Sequence, residues 1–202
     1  MGALPFPAGV VAVAGSRRLS PEASALVAQV ARELVASRCS LVVGCCVGAD
    51  AVALVSVPGA PGRAVRVLCA WGPGGAGAGP ASAVGPVLAA ARAGVQVAWW
   101  AGGGPSVPLV ARLARRTRAV IAEASAALVV FPASSVVAGS GSWLAAAAAV
   151  ERGLQVVVFP FPVRFSAAEL PALGVGRWVA TAGAGVWDSA WQWVPGQLVL
   201  SV

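Results

Sequence analysis

Short apolar runs, many of them β-branched, recur along this chain at intervals that leave room for one helix between neighbours. Val10 to Ala14, Leu41 to Gly44, Ala64 to Ala70, Val95 to Trp99, Leu128 to Phe131 and Gln155 to Phe159 read as strands. Their apolar side chains do not alternate with polar ones, so both faces of each strand must be covered. Parallel sheets with helices on both sides meet that demand. The intervening segments supply the helices. Ser20, Pro21 and Glu22 form an N-cap, a proline at the first helical position and an acid in the first turn. Leu26, Val27, Val30 and Leu34 then repeat at three- and four-residue spacing. Further helices are expected over Asp50 to Val57, Val84 to Ala93, Leu109 to Ala122 and Gly141 to Arg152, the last with a run of five alanines. The expected fold class is α/β: a doubly wound, mainly parallel sheet with right-handed crossovers.

With 58% hydrophobic and 10% charged residues and a mean hydropathy of +0.83, the chain must collapse, and the question is whether its apolar surface meets protein or lipid. Uncharged stretches at Val67 to Ala91 and Ala124 to Val150 are long enough to span a bilayer. WGPGGAGAGP interrupts the first, and FPASS and GSGS cut the second, turn chemistry that a lipid-exposed helix cannot satisfy. No membrane span is expected. Pro5 and Pro7 and the lack of a charged leader argue against a signal peptide, so the expected location is cytoplasmic. After Phe159 the pattern changes. Pro160, Pro162, Pro171 and Pro195 punctuate a segment that holds four of the eight tryptophans, Trp178, Trp187, Trp191 and Trp193. The expected organisation is a domain over residues 1–160 and a C-terminal extension over 161–202 that packs on it or on a partner subunit.

The chain contains no His, Lys, Tyr or Asn, so a His-based triad or His-ligated metal is excluded. All 14 cationic side chains are Arg, against seven Asp and Glu, giving a net charge of +7. Cys39, Cys45, Cys46 and Cys69 lack metal-ligand spacing and read as small apolar residues of a reduced core. No metal or other cofactor is implied. The positive balance favours an anionic partner, and guanidinium suits bidentate phosphate contacts.

Three loops follow strand ends with phosphate-binding character. Gly15-Ser16-Arg17-Arg18 follows the first strand, and Gly44 to Asp50, through Gly48, follows the second. Gly139-Ser140-Gly141-Ser142 opens the alanine-rich helix, where free N–H groups and the helix dipole favour an oxyanion. Arg112, Arg115 and Arg116 are expected on one helix face, with Arg118 pointing away. The alternative is that this charge run is a solvated face.

The segments VAVAGSRR (Val11 to Arg18), VVGCCVGADAVAL (Val42 to Leu54), RTRAVIAEASAALVV (Arg116 to Val130) and SGSWLAAAAAVERG (Ser140 to Gly153) together resemble the DNA-processing protein A (DprA/Smf) family of the SLOG superfamily. Thr117, Ala145 and Leu54 stand where that family commonly has Asn, Thr and His. The resemblance covers about residues 10 to 160. It implies a Rossmann-like fold that binds phosphate-bearing ligands, single-stranded DNA or a nucleotide, often as a homodimer. The binding residues it implies are Gly15, Ser16, Arg17, Gly48, Asp50, Arg116, Arg118, Ser140, Gly141 and Ser142. The tryptophans Trp99, Trp100 or those of the C-terminus are available to stack on bases.

Two alternatives differ in class. A phosphoribohydrolase of the related LOG type needs a carboxylate just after its glycine turn, where this chain has Trp143, Leu144, Ala145 and Ala146. Glu123 and Glu151 are the nearest acids in sequence, and structural roles are expected for both. The scarcity of acids favours binding over catalysis. The other alternative is an assembly protein that keeps the fold without the site and uses the Trp-rich tail as its interface.

Overall fold

The computed structural model describes residues 4–57, 64–160, 166–182 and 185–196. It contains one eight-stranded sheet in the order β4-β3-β2-β1-β5-β6-β8-β7. Six strands run parallel: β1 (Val10–Gly15), β2 (Ser40–Val43), β3 (Val65–Leu68), β4 (Gln96–Ala98), β5 (Ala127–Phe131) and β6 (Gln155–Val158). Each lies within two residues of the run that predicts it. The helices are α1 (Pro21–Ala36), α2 (Ala49–Val55), α3 (Val84–Arg92), α4 (Leu109–Glu123) and α5 (Gly141–Glu151). Ser20 caps α1 as expected, its Oγ accepting from the Ala23 N–H at 3.2 Å.

Alternate residues of each central strand go to opposite cores. Val11, Val13, Leu41, Val43, Val65, Val67 and Val129 pack beneath α1 and α2. Ala12, Val42, Leu68, Leu128, Val130, Val156 and Val158 face α4 and α5. On the second side Ala145, Ala146 and Ala149 of α5 are fully buried, and their small side chains let that helix lie close to the sheet. No helix among the described residues is long and apolar enough to cross a membrane.

The chain lays down β1 to β4 in one direction and then returns to place β5 on the other side of β1. Loops leaving β1 and β5 therefore diverge to opposite faces and open a crevice beyond the carboxyl ends of those strands, the usual ligand position in such sheets. Gly15 is paired with Phe131 at its mouth, and the Ser16 N–H donates to the Phe131 carbonyl at 2.8 Å.

The C-terminal segment departs from the strand pattern read from sequence. Two more strands, β7 (Gly176–Ala180) and β8 (Trp191–Pro195), form an antiparallel hairpin, and β8 pairs antiparallel with β6. Trp178 and Trp193 sit with ring centroids 5.3 Å apart, and Trp178 lies edge-on to Trp143 of α5 at 6.4 Å. Trp187 packs on the opposite side against Phe6 and Phe159. The tryptophans thus clamp the hairpin to both layers of the core, and each buries a large apolar area. Prolines at the margins and short exposed strands hid the hairpin in the sequence. Residues 161–165, 183–184 and 197–202 of the extension lie outside the described residues.

Candidate phosphate-binding cleft

The cleft begins where three backbones crowd together. A Cβ on Gly15 would overlap the Ala49 Cβ and the Phe131 carbonyl, so only glycine lets the end of β1 sit between α2 and β5. Gly48 has φ +82° and a Cβ there would strike the Ser16 carbonyl, which accepts instead from the Ala49 N–H at 3.0 Å. Ser16 spends its hydroxyl on this turn, donating to the Arg18 carbonyl at 2.6 Å and accepting from the Arg18 N–H at 2.9 Å. Arg17 is left exposed at the cleft wall.

Behind that wall lies a buried ion pair. Arg116 of α4 donates through Nη1 to Asp50 Oδ2 at 3.3 Å, and the same oxygen accepts from the Cys46 N–H at 3.2 Å. Arg116 Nη2 donates to Cys46 Sγ at 3.0 Å, while its Nε, also buried, has no partner among the described residues. A side chain at Gly44 would occupy the space of both the guanidinium and the carboxylate, so that glycine makes the pair possible. Burial pushes the Asp50 carboxyl up from its usual range, against the opposing pull of Arg116 and the Cys46 N–H. For Arg116, burial opposes the charge, but the facing Asp50 carboxylate outweighs it and raises the guanidinium's affinity for its proton.

Gly15, Arg17, Asp50, Arg116 and Gly141 line one inner pocket of about 50 Å³, together with Cys46, Thr117 and the apolar floor of Val13, Val120, Ile121 and Ala145. It shares Arg17, Arg116, Thr117 and Gly141 with a wider groove of about 600 Å³ that runs between α4 and α5 past Leu113, Val137 and Leu144. The N-terminus of α5 faces this space. Ser140 lines the groove and caps α5 by accepting from the Trp143 N–H at 3.5 Å.

The remaining sequence candidates fall elsewhere. Gly48 and Ser16 shape the turn behind the cleft. Ser142 is buried and lines neither cavity, and Arg118 is exposed and outside both. Arg115, expected beside Arg112 and Arg116, is exposed as well. Arg112 is neither solvated nor turned to the cleft. Its Nε donates to Val107 at 2.9 Å, Nη1 to Ala70 at 2.7 Å and Nη2 to Gly77 at 3.2 Å, all backbone carbonyls, and its guanidinium lies 5.0 Å from the centre of the Trp100 ring. Trp99 packs against Trp71, and neither Trp99 nor Trp100 lines the cleft. Cys46 and Thr117 do line it and were not among the sequence candidates. The adjacency of Cys46 to the Gly44 turn was the available signal for the first, and its one-residue distance from Arg116 for the second.

The family model described as DNA recombination-mediator protein A matches residues 2–170. The chain belongs to that family. DNA processing protein A from Helicobacter pylori, in a structure concerned with its single-stranded DNA binding mode, superposes with a TM-score of 0.59 at 21% identity, over 80% of this chain and 69% of that one. The same protein from Streptococcus pneumoniae superposes with a TM-score of 0.55 at 19% identity, over 77% of this chain and 52% of that one, so the chain spans about half of that relative. These likenesses establish the DprA Rossmann-like fold. No curated protein sequence matches the chain. Neither comparison supports the phosphoribohydrolase alternative.

Proposed function

We propose that this DprA-family chain binds single-stranded nucleic acid, DNA in the first place, by seating a backbone phosphate in the cleft between Arg17, Arg116 and the N-terminus of α5. One observation carries the reading: a buried Arg116 whose Nε lacks a partner lines the same small pocket as an exposed Arg17 and a helix N-terminus. Asp50 balances the Arg116 charge and fixes its geometry, and Arg17 with the α5 N–H groups supplies the excess positive potential. The relative from Helicobacter pylori binds single-stranded DNA, and family membership carries that ligand class to this chain as a proposal. The cleft serves binding rather than turnover, because its single lining carboxylate is engaged by Arg116 and the Cys46 N–H. The resemblance further supports a homodimer, which sedimentation of the purified protein tests directly.

Fluorescence anisotropy with a labelled oligothymidylate, repeated across salt concentrations, tests the binding. The expected result is affinity that falls steeply with salt and drops about tenfold in Arg17→Ala, with the log–log slope reduced by ~0.7. No binding at low salt would sink the reading.

A further inference from the structure

Two loops at the carboxyl end of the sheet are held very differently. The one after β3, residues 72–83, is stitched throughout. The Gly72 N–H donates to the Ala76 carbonyl, Ala78 to Gly75, Ser82 to Gly79 and Ala83 to Cys45, and Arg112 Nη2 reaches the Gly77 carbonyl from α4. The loop from β5 to α5 is not. None of the N–H groups of residues 133–139 has a hydrogen-bond partner among the described residues. Two bonds hold the segment through its carbonyls: Trp143 Nε1 donates to Ser134 at 2.9 Å, and the Ser140 N–H donates to Val137 at 3.0 Å. A segment with so few bonds of its own rearranges at little cost.

The same segment carries apolar surface in the open. Val136 is 62% and Val137 51% exposed, and Val110, on the α4 side of the groove, is 80% exposed. Val137 and Val110 line that groove together with Leu113, Leu144 and Ala147. The space between them is about 600 Å³, so these valines face solvent rather than the opposite wall. A ligand that fills the groove supplies the surface they lack, and covering them is then favourable. The backbone permits the movement. Gly139 has φ +71°, and a Cβ there would meet nothing within 4 Å, so its neighbours leave its dihedrals free to change.

We infer that residues 135–138 are a strap that swings between the Ser134 tie and Gly139 and closes across the α4–α5 groove once the cleft is occupied. This rests on the cleft reading above and goes beyond it by giving binding a second, unimolecular step. The valines shed water only after encounter, so the strap governs how long a ligand stays rather than how fast it arrives.

The test combines hydrogen–deuterium exchange, with and without saturating oligothymidylate, and stopped-flow binding of the same probe. In the free protein the amides of residues 133–139 are expected to exchange far faster than those of residues 72–83, and to become protected when the probe binds. The observed association rate of the wild type is expected to level off as probe concentration rises, the mark of a closing step. In Val136→Ser/Val137→Ser, dissociation is expected to be about tenfold faster with association within about twofold of wild type. Val175→Ser/Val194→Ser makes the same change at exposed valines of the distant hairpin and is expected to leave both rates alone. Circular dichroism melts confirm that both variants are folded. Protection of residues 133–139 already in the free protein, an association rate that stays linear, or a dissociation rate unchanged in the strap variant overturns the strap and leaves the cleft standing. Failure of the wild type to bind the probe overturns the cleft reading and the strap with it.

Discussion

Arg112 and Arg116 sit one turn apart on the same face of α4, both buried, and yet they have opposite endings. Arg112 reaches three backbone carbonyls with three different nitrogens and rests on Trp100, so every direction of its fork is used within the protein. Arg116 meets one carboxylate and one thiol and keeps a buried Nε unmatched beside an open pocket. A buried guanidinium whose hydrogen bonds are complete is a tie between loops. One whose hydrogen bonds are incomplete, at a site that a ligand can reach, still has a donor to offer. The contrast separates scaffold from site more sharply than exposure, which is nearly the same for the two residues.

The comparison can be broken at several points, and the largest effect belongs to Arg116. Arg116→Ala strips Asp50 of its partner in the interior, and should cost about 3–5 kcal/mol in urea unfolding as well as oligonucleotide binding. Adding Asp50→Ala should restore much of the stability, because the orphaned carboxylate is gone, without restoring affinity. Recovery of both would show that Arg116 acts only as Asp50's partner.

Arg112→Met should cost about 2–3 kcal/mol through its stranded carbonyls, while the folded variant binds oligothymidylate nearly as the wild type does, because Arg112 lines neither the pocket nor the groove. A selective loss of binding with unchanged stability would erase the distinction drawn between the two arginines. Arg17→Ala sharpens it from the other side: exposed and without an ion pair among the described residues, Arg17 should be neutral to stability within about 0.5 kcal/mol and yet weaken binding.

The smallest effect concerns the thiols around the ion pair. Cys46 hydrogen-bonds to Cys45 in the sense that lowers the Cys45 pKa, but the Cys69 thiol and burial together push it up to about 11. Hydrogen bonding to Cys45 and burial push Cys46 higher still. All four cysteines are buried, so none should react with an aromatic disulfide reagent near neutral pH until the protein is unfolded. Because the folded state holds these protons more tightly, the associated stability is present below the unfolded thiol pKa of about 8.5. It is lost as pH rises toward about 11, so thermal melts should fall across that window. Rapid labelling of the native protein at neutral pH would contradict the buried placement.

How much of this was legible beforehand follows physical lines. β1 and β5, and the cap of α1, are local: a run of β-branched residues or a Ser-Pro-Glu start carries its meaning within a few positions. The crevice was legible too, since glycine turns after apolar strands place it by topology. The hairpin of β7 and β8 was not, because its strands bury little more than Trp178 and Trp193 and depend on pairing with β6. Nor could spacing alone assign the arginines. Helical geometry groups Arg112, Arg115 and Arg116 on one arc, and only packing against the sheet decided that Arg115 is left outside.

The sequence by itself determined that this chain is a doubly wound α/β protein with glycine-rich turns at the carboxyl ends of its strands, because apolar periodicity, caps and glycines act over short range. Tertiary structure alone decided which guanidinium is spent on backbone carbonyls and which keeps an unmatched donor beside a pocket. Asp50 and Arg116 are 66 residues apart, and a guanidinium is defined by the acceptors that folding brings to it.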